Sequence, residues 1–431
     1  MSNKSQPKSK AVFRNRNYRL LVLANIINRF GDSVDAIVFT WLTYTLTESA
    51  AFSALVFAAN RLPTVLLQPL TGVWMERRPK RRAMVVTDLL RGLLVGYILL
   101  RVLTGLPTAA ELLIFTTLIS TVEAFRQPAG GAILPQIVPP EQYTEAISYQ
   151  SGLSSAAELV GTGLGAVLIS LIGNAGAMAV DVVTFLLSAL LLSAMVLKET
   201  LPAEPEQFSS RKLFRELSDG LTMVKANRAI LYLLLLAVVL NGLLTPYNSL
   251  EAAMTREILH SDAGILSVVG VALSLGMIAG ASLFPTLSRR VPMRVLLLTG
   301  SVLLGAMYLG TVAVGRWAAT PLAIYLSISV LMLLVGFGVA LLNNFSSVLV
   351  LQKCDKAYLS RLSGLMGSLC GAAMPAVSLL VSVLTGFIST ELFFIGSGVF
   401  VLLACGVLFS RRVMPAEFQE DPKSKEGGVP A

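Results

Sequence analysis

The chain has 431 residues, of which 55% are hydrophobic and only 14% charged, with a formal net charge of +9. A soluble protein of this length needs far more charge to cover its surface, so the composition belongs to a polytopic membrane protein. Three cysteines (Cys354, Cys370, Cys405) and one histidine (His260) leave no basis for a disulfide framework, a zinc cluster or Ser-His chemistry, and no GxxxxGK loop offers a nucleotide engine.

A helix needs ~20 mostly apolar residues to cross the ~30 Å hydrocarbon core. Residues 1–17 read as a cytoplasmic tail, and the first span is expected at 18–45. Arg29, Asp32 and Asp35 interrupt that span, which distinguishes it from a cleavable signal peptide. Spans at 50–75, 83–104, 109–128, 146–172 and 175–197 complete a first bundle over 18–197. A polar linker occupies 198–228, where Leu213, Phe214, Leu217, Leu221 and Val224 recur at helical spacing, the pattern of an amphipathic helix lying on a surface. A second set at 229–250, 264–287, 293–314, 320–347, 362–387 and 390–410 forms a bundle over 229–411, and 412–431 is a C-terminal tail.

The cations give the orientation. With both termini inside, 27 of the 34 Lys and Arg fall on the cytoplasmic side and three (Arg101, Arg256, Arg316) outside. Such a bias is the positive-inside pattern. The positive balance therefore reports orientation and contact with anionic lipid, not nucleic acid. The densest run is GVWMERRPKRR at 72–82, between the second and third spans.

The halves repeat. Gly72, Arg81 and Arg82 match Gly280, Arg289 and Arg290 at a shift of 208, and Gln136 matches Gln352 at a shift of 216. The expected fold is all-α and membrane-embedded, with twelve transmembrane helices arranged as two six-helix pseudo-repeats around a central cavity.

Ionisable groups at membrane depth are functional candidates, because each is costly unless paired or hydrated. In the first span Asn25, Asn28, Arg29, Asp32 and Asp35 fall on one polar stripe, roughly 120° wide. Arg29 and Asp32, three apart, are expected to pair within the helix. Asp35 then needs another partner, with Arg61 of the second span a candidate, and becomes a carboxyl able to exchange protons. Glu158 lies deep in the fifth span. Asp88 and Arg91 are expected to pair locally, Glu123 and Arg126 form a second candidate pair at the inner end of the fourth span, and Asp181 is assigned a packing role. The second half offers Asn241, Asn343 and Asn344, amides that bind a solute but carry no proton.

Twelve spans, the long central linker and GVWMERRPKRR resemble the major facilitator superfamily, whose signature in this gap is Gly-x-x-x-Asp-Arg-x-Gly-Arg-Arg. Gly72, Arg77, Lys80 and Arg81 fit, with Glu76 for the aspartate and Pro79 for the second glycine. NRFGDSVDAIVFTWLTYTLTES, EAFRQPAGGAILPQIVPPE and the Asp181-x-x-Thr184-Phe185 run resemble the bacterial branch of macrolide-efflux-type and enterobactin-exporter-type proteins. Gly161-Thr-Gly-Leu-Gly-Ala166 is similar to a Gly-Pro-x-x-Gly-Gly motif of drug–proton antiporters.

The resemblance implies a monomeric secondary exporter of a small amphipathic or drug-like molecule, driven by a proton gradient without a cofactor. It also implies a cytoplasmic gate. There Gly72 and Glu76 face the far half, while Arg77 and Arg81 dock on Asp88 and Glu123. A lysophospholipid flippase, with Arg29 and Arg61 receiving a phosphate, and a siderophore exporter are the alternatives of the same fold.

Overall fold

The computed structural model describes residues 12–76, 78–105, 107–139, 142–197, 228–353 and 359–408. The amphipathic helix expected at 213–224, Arg77, residues 1–11 of the N-terminal tail and the whole C-terminal tail lie outside them. The long helices are α1 (Arg16–Thr47), α2 (Ala50–Glu76), α3 (Lys80–Thr104) and α4 (Ala109–Ile133). A continuous run, Tyr143–Ser193, breaks at Gly173, whose φ of 70° is open to glycine and strained for other residues. The break separates α5 (143–172) from α6 (174–193). Beyond the linker follow α7 (Arg228–Ser249), α8 (Gly264–Arg290), α9 (Met293–Trp317), α10 (Pro321–Lys353), α11 (Leu359–Thr385) and α12 (Thr390–Leu408).

Among the described residues, seven segments are long and apolar enough to cross a membrane, in α2, α3, the α5–α6 run, α8, α9, α10 and α12. The stripe of Arg29, Asp32 and Asp35 keeps α1 below that apolarity. The chain divides into two compact units, one of residues 1–47 and 59–208, the other of residues 48–58 and 209–431. The first turns of α2 join the second unit through α11, where Ser378 Oγ donates to the Ala54 carbonyl and Ser382 Oγ to that of Ala51, both at 2.7 Å.

In the first unit α1 lies along α5 and α6. One core cluster gathers Tyr18, Leu21, Met75, Met84 and Leu192; a second gathers Val34, Val38, Val95, Leu112 and Phe185. The turn from α3 to α4 is fastened by a capping box. Thr108 Oγ1 accepts from the Glu111 backbone N–H (3.2 Å), and the Glu111 carboxylate accepts from the Thr108 N–H (2.6 Å). Arg101 Nε and the Tyr97 hydroxyl also donate to Glu111, at 2.9 and 3.0 Å.

In the second unit small residues let backbones touch. A Cβ added at Gly276 of α8 would sit 2.0 Å from the Leu333 carbonyl, and one at Gly336 of α10 would sit 2.0 Å from that of Leu273. This reciprocal contact is how helices associate without a hydrophobic drive between them. Near Pro246 the Tyr308 hydroxyl donates to the Leu243 carbonyl (2.6 Å) and accepts from the Tyr247 N–H (3.2 Å). One side chain of α9 thus completes the interrupted ladder of α7.

Gly336→Leu is expected to prevent α8–α10 packing, costing more than the ~1–3 kcal/mol of ordinary overpacking because backbone cannot yield. Gly396→Leu, where an added Cβ meets nothing within 4 Å, is expected to be tolerated. Folded yield and thermal midpoint in detergent, read by fluorescence-detected size exclusion, separate the two.

Candidate functional site: a charged network inside the first unit

The stretch from Arg29 to Asp35 sends every third side chain to another helix, three helices in all. Gly31 makes this possible. A Cβ there would lie 2.0 Å from Thr184 Oγ1 and 2.6 Å from Asp181 Oδ1, so α1 and α6 meet at their polar residues. On the α5 side, a Cβ at Gly161 would lie 2.7 Å from the Phe30 carbonyl and 2.8 Å from Ser33 Cβ. The sequence thus places glycine where a buried acid must come within reach of another helix.

Arg91 of α3 is the centre. Its Nη2 donates to Asp32 Oδ1 at 2.7 Å, and its side chain is 4% exposed against 19% for Asp32. The guanidinium also lies 4.4 Å from the centroid of the Phe185 ring on α6, a cation–π contact. Its Nε and Nη1 are buried and donate to no acceptor.

Asp181, fully buried, lies close enough to Asp35 for the two carboxyls to act on one another. Thr184 Oγ1 donates to the Asp181 backbone carbonyl (2.7 Å) and reaches Oδ1 at 3.3 Å. Asp35 Oδ1 and Asp181 Oδ2 are buried and accept from no donor.

A second pair lies alongside. Arg126 Nε of α4 donates to Asp88 Oδ1 at 2.6 Å, Ser188 Oγ donates to Asp88 Oδ2 at 2.6 Å, and Arg126 Nη2 donates to Asn25 Oδ1 at 3.3 Å. Both oxygens of this buried acid are therefore engaged. At the rim, Arg29 pairs with Glu158 at 2.9 Å, both about half exposed.

Several expected pairings are thereby corrected. Arg29 reaches across to Glu158 rather than along the helix to Asp32, and Asp32 is taken by Arg91. Asp88 pairs with Arg126 rather than with Arg91, and Glu123 accepts from Gln127 Nε2 (3.2 Å) rather than from Arg126. For Asp32 the other helix offers the more buried partner, Arg91 at 4% exposed against about half for Arg29. Arg81 donates to the Ser193 carbonyl (3.4 Å) and to that of Met195, at the end of α6, instead of to Asp88 or Glu123. A cation there complements the negative end of that helix.

Asp181, assigned to packing, belongs to the acid cluster. The only signal for it was its place in the Asp181-x-x-Thr184-Phe185 run, every named member of which touches the network. Arg61 is exposed on α2. The Glu76 side chain and the surroundings of Gly72 lie outside what is described. Asn241, Asn343 and Asn344 belong to the second unit; Asn344 Nδ2 donates to the Ala340 carbonyl at 2.8 Å.

An all-helical, multi-pass bundle that keeps paired charges inside its helices has the architecture of a membrane transporter. The chain belongs to the Major Facilitator Superfamily, whose profile matches residues 21–379. It is 24% identical over 359 residues to macrolide efflux protein A of Streptococcus pyogenes, covering 83% of this chain and 86% of that one. It is 26% identical over 368 residues to the multidrug efflux pump Tap of Mycolicibacterium fortuitum, again covering 83% and 86%. Among solved structures, the nucleoside transporter NupG superposes with a TM-score of 0.65 at 15% identity over 92% of this chain and 99% of that one. A bacterial homologue of the iron transporter ferroportin, inward-facing, gives 0.66 at 18% over 91% and 98%. These likenesses establish the fold.

Asp88→Leu leaves Arg126 and Ser188 without this acceptor, and removing one partner of a buried pair costs about 3–5 kcal/mol. Asp88→Leu combined with Arg126→Met is expected to recover part of that loss. Thermal unfolding of the single and double variants checks it; additive losses would deny the coupling.

Proposed function

We propose that this transporter is a proton-driven exporter of a small amphipathic or drug-like molecule, working by alternating access. The observation that carries the reading is the count of charges around Arg91. Three carboxylates, on Asp32, Asp35 and Asp181, gather at one guanidinium within membrane-spanning helices. Asp32 satisfies Arg91 directly. The Asp35–Asp181 pair is short of one donor and one positive charge, and a proton supplies both. Asp32 and Asp35 are only partly buried, so water can deliver it.

On this reading a proton held between Asp35 and Asp181 and the guanidinium of Arg91 are alternatives. Loading the proton leaves Arg91 to Asp32 alone, and releasing it draws Arg91 towards the second pair. The relatives that export macrolides and several drugs support the direction and the class of solute.

All twelve long helices are taken to cross the membrane as two six-helix bundles, 18–197 and 229–411, with the linker and both termini cytoplasmic. Reporter fusions after Pro205 and after Glu417 should then give cytoplasmic signals, and one near Asp262 an external signal. An external linker would overturn the topology.

Asp35→Asn and Asp181→Asn keep the shape and lose the exchangeable proton. Each is expected to abolish uphill efflux in inverted vesicles while at least one retains gradient-free exchange, assayed with a macrolide and a panel of lipophilic drugs with and without uncoupler. Wild-type uphill rates in both variants would remove the pair from the mechanism.

A further inference from the structure

A cavity of about 370 Å3 opens in the first unit where the end of α2, the turn into α3 and the second half of α4 meet. Met75, Val86, Leu90 and Phe125 supply most of its wall, and charge occurs only at one end, as Arg78 and Arg82. Both arginines are exposed. The volume lies within the ~300–1,000 Å3 range of small-ligand sites.

Three features point to one kind of occupant. The first is position. The span Lys80–Thr104 begins beside these arginines, so they stand at the membrane interface and the apolar wall runs inwards. From Arg82 to Leu90 the helix rises ~12 Å, most of the ~15 Å depth of one leaflet.

The second is continuity. Val86 and Leu90 lead into Leu93, Tyr97 and Leu100, all exposed and all on the same stripe of α3. That stripe faces acyl chains, and the cavity is an indentation in it. The third is charge. Two guanidiniums at an interface favour a headgroup with a net negative phosphate and oppose one that brings its own ammonium.

We propose that this cavity binds one anionic phospholipid, an acyl chain lying along Val86 and Leu90 and the phosphate held by Arg78 and Arg82. The inference needs α3 to span the membrane and is independent of proton-driven export.

The test uses the full-length protein in detergent, with phosphatidylglycerol or phosphatidylcholine added, and native mass spectrometry to follow lipid retained under collisional activation. Wild type should retain one phosphatidylglycerol in preference to phosphatidylcholine. Each arginine replaced should weaken that retention about fivefold, the equivalent of ~1 kcal/mol per basic residue at an anionic surface. Arg78→Gln with Arg82→Gln should thus erase the preference. Ala83→Trp, which fills the cavity, should lower retention of both lipids.

Arg19→Gln with Arg290→Gln removes the same charge elsewhere and should keep the preference. Equal retention of the two lipids by wild type, or an equal loss in this control pair, would overturn the site. A p-benzoylphenylalanine introduced at Val86 gives an independent reading in cells. Labelled phospholipid supports the proposal, and a cross-link to the protein's own chain replaces the lipid with a polypeptide occupant.

Discussion

A guanidinium held inside membrane helices must be answered by a carboxylate, and Arg91 organises the first unit for that reason. In hydrocarbon neither ion survives alone. The pairing with Asp32 therefore fixes how far α3 stands from α1, and the ring of Phe185 packs α6 against the same cation. Gly31 and Gly161 are the complement of this demand. They remove side chains where α1 must come close enough to α6 and α5 for polar groups to meet. Packing and electrostatics are solved by one set of residues within a single stretch of α1.

The network is graded in solvent contact. Asp88 and Asp181 are fully buried, Asp32 is slightly open, and Arg29 and Glu158 are about half exposed. Only a graded arrangement connects a membrane-buried acid to water without flooding the bundle. It also separates roles. Asp88 has both oxygens occupied by Arg126 and Ser188 and acts as a fixed brace. Asp35 and Asp181 each keep a buried oxygen uncommitted.

The polar stripe on α1 was legible because it depends only on helical period, and Asn25, Arg29, Asp32 and Asp35 all enter the network. Their partners were not legible. Sequence favours neighbours three or four residues apart, yet Asp32 binds a residue 59 positions away and Arg29 one 129 positions away. Asp181 was hidden for a different reason: one acid in an apolar helix reads as a packing oddity until the helix that faces it is known. Cation placement told more about orientation than about contacts. Arg81, read as docking on acids, instead caps the carbonyls at the end of α6, a role that charge counting does not reveal.

The fastening of the turn between α3 and α4 bears on motion. Thr108, Glu111, Arg101 and Tyr97 bind that turn at one end of the two helices, and the Asp88–Arg126 pair binds them towards the other. A hairpin pinned at both ends cannot scissor. It behaves as a lever, so a displacement of Arg91 along α3 must carry α4 with it, and a small movement beside Asp32 becomes a tilt of the whole α3–α4 pair.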